Sequence, residues 1–192
     1  MRSLYLLGLI YLAASLYALW RGPVLVPMVG PGVAVAVGDP ASDGPAWFAQ
    51  VRASCNALEV ETAQRRYPPP TTLDGAGFSA ACWALAGRMT EAREQIYAVQ
   101  PDERWKAVGI VFNVGHPIAD MGDDRSAGPI MELVVEFWPN HYMALYHAGA
   151  ARFAVGDFAL AEPHLREFLV YYKQNDGWTA NARRMLGEIE RR

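Results

Sequence analysis

Three short segments of this 192-residue chain align on one another: AGRMTEA (86–92), MGDDRSA (121–127) and VGDFALA (155–161). Each places a glycine five residues before an alanine. Gly87, Gly122 and Gly156 are 35 and 34 residues apart, and Ala92, Ala127 and Ala161 keep the same spacing. The two residue types constrain the backbone in different ways. Glycine enters left-handed conformation without a Cβ penalty, so a recurrent glycine after an apolar helical stretch ends that helix. Alanine leaves room for a second helix to lie close to the first. A period of this length holds two helices and a turn. One such unit cannot bury its apolar face alone, so neighbouring units must stack.

Further positions keep the register. Gly115 and Gly149 are 34 apart inside the first helix of their units, Pro139 follows the second helix, and Pro101 sits close to its counterpart. The clearest unit is ALYHAGAARFAVGDFALAEPHLREFL, 144–169. Its first helix carries Leu145, Ala148, Gly149 and Phe153, and its second carries Phe158, Ala161, Leu165, Phe168 and Leu169. Spacings of three and four give one apolar stripe per helix. Residues 72–173 in this way resemble the tetratricopeptide (TPR) repeat family, whose unit is two antiparallel helices in 34 residues. Three departures stand out: Arg152 replaces a usual aromatic, Pro163 falls early in a second helix, where a first turn tolerates it, and Pro117 interrupts a first helix. Gly128-Pro129 predicts a late or kinked start for the middle second helix. Residues 45–66 read as one long helix ended by Tyr-Pro-Pro-Pro, and residues 176–191 as a closing amphipathic helix with Trp178, Ala182, Met185, Leu186 and Ile189 on its apolar side. The expected fold is all-α: a TPR-like helical-repeat solenoid of about three helix pairs plus flanking helices, spanning 45–192.

The N-terminus has different physics. Residues 3–20, SLYLLGLIYLAASLYALW, contain no charge. At 1.5 Å per residue they reach about 27 Å, close to the roughly 30 Å hydrocarbon thickness. Tyr5, Tyr17 and Trp20 lie near the ends, as interfacial rings do. A cleaved signal peptide is the rival reading, but Leu16-Tyr17-Ala18 is a poor cleavage site. The expectation is a single transmembrane helix, 1–21, in an inner (cytoplasmic) membrane. Arginine flanks tie, and the N-terminal amine favours a cytoplasmic N-terminus, which puts the bulk of the chain in the periplasm. Residues 22–44 then form an apolar arm and linker. GPVLVPMVGPGVAVAVG (22–38) is broken by three prolines and four glycines, which exclude a long helix. An apolar ribbon of this kind needs covering by membrane, domain or partner.

Charge excludes one class of function. With 17 basic against 20 acidic residues and lysine only at 106 and 173, the chain lacks the basic footprint of nucleic-acid binding. The two cysteines, Cys55 and Cys82, match no zinc spacing. They read as two small buried hydrophobes, as one disulfide in an oxidising compartment, or, least well, as a thiol nucleophile.

The richest chemistry is in GHPIADMGDDRSAGP, 115–129. By register most of it is a helix end, a turn and a helix start, with Asp123 and Asp124 near a helix N-terminus where acidic groups cap donors. His116 and Asp120 are four apart and share a face if the helix runs past Pro117. With Asp123 or Asp124 they would make a cation site, although the ligand spacing of an EF-hand is missing. Ser126 is the nearby hydroxyl and no GxSxG is present, so no catalytic constellation is expected. A second cluster, FWPNHYMALYH (137–147), gathers Phe137, Trp138, His141, Tyr142, Tyr146 and His147 around one helix start. In the repeat family certain first-helix positions line a concave groove. The resemblance places Met143, Tyr146, Ala150 and Phe153 there from one unit, and Gly109, Phe112, His116 and Ala119 from the previous one.

The function expected is therefore a non-enzymatic, membrane-tethered scaffold for protein–protein interaction. It would be an accessory or assembly subunit of a multi-subunit integral membrane complex, respiratory or photosynthetic for example, with no cofactor. Two alternatives are a transient adaptor for many clients and a metal-dependent enzyme or metal-regulated binder using the 116–124 loop.

Overall fold

The computed structural model describes residues 43–192. Among the described residues there are nine α-helices, one 3-10 turn and no strand. The helices are α1 (Gly44–Val51), followed at once by the 3-10 turn Arg52–Ser54, α2 (Val60–Arg66), α3 (Leu73–Leu85), α4 (Met89–Tyr97), α5 (Arg104–Asp120), α6 (Asp124–Phe137), α7 (Tyr142–Ala154), α8 (Phe158–Tyr171) and α9 (Gly177–Glu190). The all-α expectation holds.

The periodic glycines do what their chemistry requires. Gly87, Gly122 and Gly156 have φ of 74°, 83° and 80°, and no other described residue has positive φ. Each closes a helix with the same pair of bonds. The glycine N–H donates to the carbonyl three residues back: Gly87 to Ala84 at 2.9 Å, Gly122 to Ala119 at 2.9 Å, Gly156 to Phe153 at 3.0 Å. The next N–H donates five residues back: Arg88 to Trp83 at 2.9 Å, Asp123 to Ile118 at 3.2 Å, Asp157 to Arg152 at 2.9 Å. This is Schellman closure, and it satisfies helix-terminal carbonyls that would otherwise lack partners. The paired alanines Ala92, Ala127 and Ala161 are all 0% exposed. So are Ile96, Met131 and Leu165, which follow the same 35- and 34-residue spacing. Thus α3–α4, α5–α6 and α7–α8 are three helix hairpins sharing one turn geometry and one set of buried positions.

Close approach within a hairpin depends on a small residue in its first helix. Ala80, Gly115 and Gly149 occupy that position and are buried. A Cβ at Gly149 would lie 2.7 Å from Leu165 Cγ, and one at Gly115 would lie 2.7 Å from Ile130 Cγ2. Between hairpins, α3 packs on α5, and α6 lies between α5 and α7; α9 covers α7 and α8. The apolar interior falls into two clusters. One runs from Trp47 and Val51 through Val108 and Val111 to Met131 and Val134, and the other joins Leu145, Leu165 and Phe168 to Ala182, Met185 and Leu186 of α9. The closing helix thus buries the face its spacing predicts, and a capping box between Asp176 and Thr179 starts it.

Several expectations need correction. Residues 45–66 are not one helix. The chain breaks at Cys55–Glu59, where the Asn56 carboxamide oxygen accepts from the Leu58 and Glu59 N–H groups, both at 3.1 Å. That local bonding competes with helix. Cys55 is also tied to Cys82 on α3 by a disulfide. Closing a 27-residue separation corresponds to about 3.5 kcal/mol of lost unfolded-chain entropy. Pro117 does not interrupt α5, Gly128-Pro129 does not delay α6, and Pro163 lies beyond the first turn of α8. The residues four positions before these prolines, Asn113, Arg125 and Ala159, are all exposed. A carbonyl that loses its donor on a solvent-facing stretch of helix costs less than one in the core. Arg152, at the position where the resemblance expects an aromatic, pairs with Glu132 of α6 and with Asp157.

The expected transmembrane helix, 1–21, and the expected arm as far as residue 42 lie outside the described residues. Among those described, no helix is long and apolar enough to cross a membrane.

Candidate functional site

Three of the chain's four histidines converge where α5 meets α7. His116 and Asp120 are one turn apart on the continuous last turns of α5. The Gly122 closure then reverses the chain. Asp123 turns away to start α6, where its side chain accepts from Ser126 N–H at 3.2 Å. Asp123 is therefore a cap and not a partner of His116, contrary to the ligand set its sequence position suggests. The third member comes instead from α7. His147 places Nε2 3.7 Å from Asp120 Oδ1, and His116 Nε2 lies 3.4 Å from the same oxygen. One donor atom from each residue falls within 4.8 Å of the others.

The burial of these groups is uneven. His147 is 3% exposed, His116 27% and Asp120 47%. Burial, reinforced by neighbouring His116 and only partly opposed by Asp120, pushes the His147 pKa down to about 4. Its imidazole is therefore neutral at physiological pH. Both Nε2 atoms are buried without a hydrogen-bond partner. An unsatisfied buried nitrogen costs roughly 1–3 kcal/mol, so the arrangement carries a penalty that packing alone does not relieve.

Aromatic rings hold the imidazoles in place. Trp105 meets Trp138 at 5.2 Å between centroids, Trp138 meets His141 at 4.6 Å, and His141 lies 4.1 Å from Phe112. Phe112 stacks on His116 at 4.6 Å, and His116 meets His147 edge-on at 5.1 Å. On the far side Trp178 of α9 contacts His147 at 5.6 Å and Tyr146 at 4.8 Å. The band continues through Phe168 and Tyr172 to Tyr142. His141 has a separate task. Its Nδ1 accepts from Ala144 N–H at 3.2 Å and caps α7, and burial lowers its pKa.

Beside the cluster, α5, α6, α7 and α9 enclose an open cleft of about 420 Å³. Asp120 and His147 stand at its edge with Ala119, Asp124, Tyr146, Ala150, Phe153, Asn181 and Arg184. Of the groove residues expected from the repeat register, Tyr146, Ala150, Phe153 and Ala119 line this cleft. Gly109, Phe112, His116 and Met143 do not line it, and Phe112 and His116 belong to the ring stack. Tyr146 is 5% exposed, and its hydroxyl pairs with the Asn181 amide. Burial raises the Tyr146 pKa against that bond. Burial, and then neighbouring Asp123, raise the Asp124 pKa. Asn181 and Arg184 were not anticipated, because their helix reads from sequence only as a cap for the stack.

No family model, curated protein or solved structure matches the chain.

Proposed function

We propose that residues 45–192 are a TPR-like helical-repeat solenoid acting as a non-enzymatic protein-interaction scaffold. Residues 3–20 tether it to a membrane, and it serves as an accessory or assembly subunit of a multi-subunit membrane complex. The observation that carries this reading is the threefold recurrence of one glycine closure with one set of buried positions. Hairpins repeated in register are how solenoids build extended binding surfaces. The cleft between the third hairpin and α9 supports the same reading. Its mixed lining, with Phe153 and Tyr146 beside Asp124, Asn181 and Arg184, suits a protein segment with apolar and charged groups. The Cys55–Cys82 disulfide favours an oxidising compartment for this domain, in keeping with a periplasmic placement. Tethering raises the local concentration of the surface for a membrane-embedded partner.

Site-specific photo-cross-linking in native membranes tests the assignment. A cross-linking residue at Phe153 is expected to give one discrete protein adduct, and the same residue at exposed Arg166 on α8 is expected to give none. Equal labelling from both positions, or none from Phe153, would remove the cleft as the docking surface.

A further inference from the structure

We propose that His116, Asp120 and His147 bind one divalent transition metal of the zinc class, with a fourth coordination position open toward the cleft. This inference stands independently of the scaffold reading, since it concerns the ligand set and not the partner.

Four observations converge on it. The first is spacing. Ligand atoms about 2.0 Å from a tetrahedral metal are roughly 3.3 Å apart. The two imidazole-to-carboxylate separations are 3.4 and 3.7 Å, and no pair of the three ligand atoms exceeds 4.8 Å. A modest rotation of the partly exposed His116 closes the remainder. The second is the pair of unpartnered nitrogens. His147 is almost wholly buried, and both Nε2 atoms point without a hydrogen-bond partner toward the same carboxylate oxygen. Coordination gives both lone pairs a partner in one step.

The third observation is the place of Asp120. It is the last residue of α5, the negative end of the helix dipole, with no basic residue in that turn. Among the described residues no lysine or arginine pairs with its carboxylate, and its close neighbours are the two imidazoles. A bound cation offsets both the dipole and the carboxylate charge. The fourth is access. Asp120 is the most exposed of the three and borders the cleft, so an ion enters from that side.

The donor set identifies the class of ion. Two imidazole nitrogens with one carboxylate favour zinc and its neighbours, whereas calcium and magnesium require oxygen-rich shells. Three protein ligands are also the count at which a zinc site keeps a position for water or an incoming donor. Here that position faces the cleft wall of Asp124, Asn181 and Arg184.

The test uses the full chain in detergent, stripped with chelator and dialysed, then titrated with Zn2+ by calorimetry and with Co2+ by visible absorption. One equivalent is expected to bind, with Co2+ bands of low coordination number. Removing a second-shell group typically weakens a metal site 10–100-fold. Asp120→Asn and His116→Ala remove ligands, so each is expected to weaken Zn2+ by at least about 100-fold. Melting in chelator should be unchanged for Asp120→Asn, whose side chain is half exposed. His164→Asn, which removes the one histidine outside the cluster, should bind as the parent does. Absence of saturable one-to-one binding would overturn the proposal. So would parental affinity in Asp120→Asn, or an equal loss in His164→Asn, which would place the ion elsewhere.

Discussion

Replacing Gly149 by alanine separates two opposing effects at the heart of the third hairpin. In an open helix interior this change stabilises by about 1 kcal/mol, because glycine is a poor helix former. Here the new Cβ would stand 2.7 Å from Leu165 Cγ, 2.8 Å from Cδ2 and 3.2 Å from the Leu165 backbone nitrogen. The side-chain atoms can rotate away, but the backbone nitrogen cannot without moving α8. Overpacking of this kind costs roughly 1–3 kcal/mol. The clash wins, and a net loss of about 1 kcal/mol is expected. Leu165→Ala alone should cost about 2–5 kcal/mol, because the side chain is 0% exposed. Combined, the two changes should cost less than their sum by about 1 kcal/mol or more, since the added methyl then occupies space the leucine vacated. Urea unfolding of the full chain followed by circular dichroism reads all four corners of the cycle. Gly115→Ala should cost a similar amount: its Cβ would stand 2.7 Å from Cγ2 of Ile130, whose β-branched side chain is stiff in a helix, and only Met131 Cε can swing aside. If the two changes add within about 0.5 kcal/mol, or if Gly149→Ala stabilises, the close-packing account of the hairpin is wrong.

Other outcomes follow from the same geometry. Gly122→Val places a β-branched residue at φ +83° with no atom near its Cβ, so strain alone should cost about 1–2 kcal/mol, and Gly122→Asn should recover much of it in the same unfolding assay. Loss of the disulfide through Cys55→Ser with Cys82→Ser should lower unfolding free energy by about 3.5 kcal/mol, read as a lower urea midpoint. His141 caps α7 through a neutral nitrogen and has a lowered pKa from burial. The stability from that neutral state is therefore present above the unfolded histidine pKa of about 6.5 and is lost as pH falls through it toward the folded value. Unfolding at about pH 7.5 and about pH 5 should differ by roughly 1 kcal/mol from the cap, and His141→Asn, which caps without titrating, should remove that share while leaving the share owed to buried His147 and His164.

What the sequence made legible was local. A glycine needed at positive φ leaves its mark wherever it recurs, so three turns and the hairpins they close could be read without coordinates. The apolar face of α9 was equally plain, because its spacing is helical. Non-local partners were not legible. The pairing of His116 and Asp120 with His147 depends on α5 running through Pro117 and on α7 lying beside it, and sequence proximity favoured Asp123 instead. The usable signal was the histidine adjacent to groove position Tyr146. Asn181 and Arg184 reach the cleft only because α9 packs across α7, and the break at Cys55–Glu59 arises from Asn56 side-chain bonds in a stretch whose composition is helical.

The scaffold reading is tested most directly by extracting the native protein from its own membranes in gentle detergent and measuring its size and companions by native separation and mass spectrometry. Co-migration with one membrane complex at fixed stoichiometry is expected, lost when residues 3–20 are deleted or when Phe153 and Arg184 at the cleft are both replaced. Migration as a lone chain, or recovery of the intact chain without detergent, would contradict the scaffold reading.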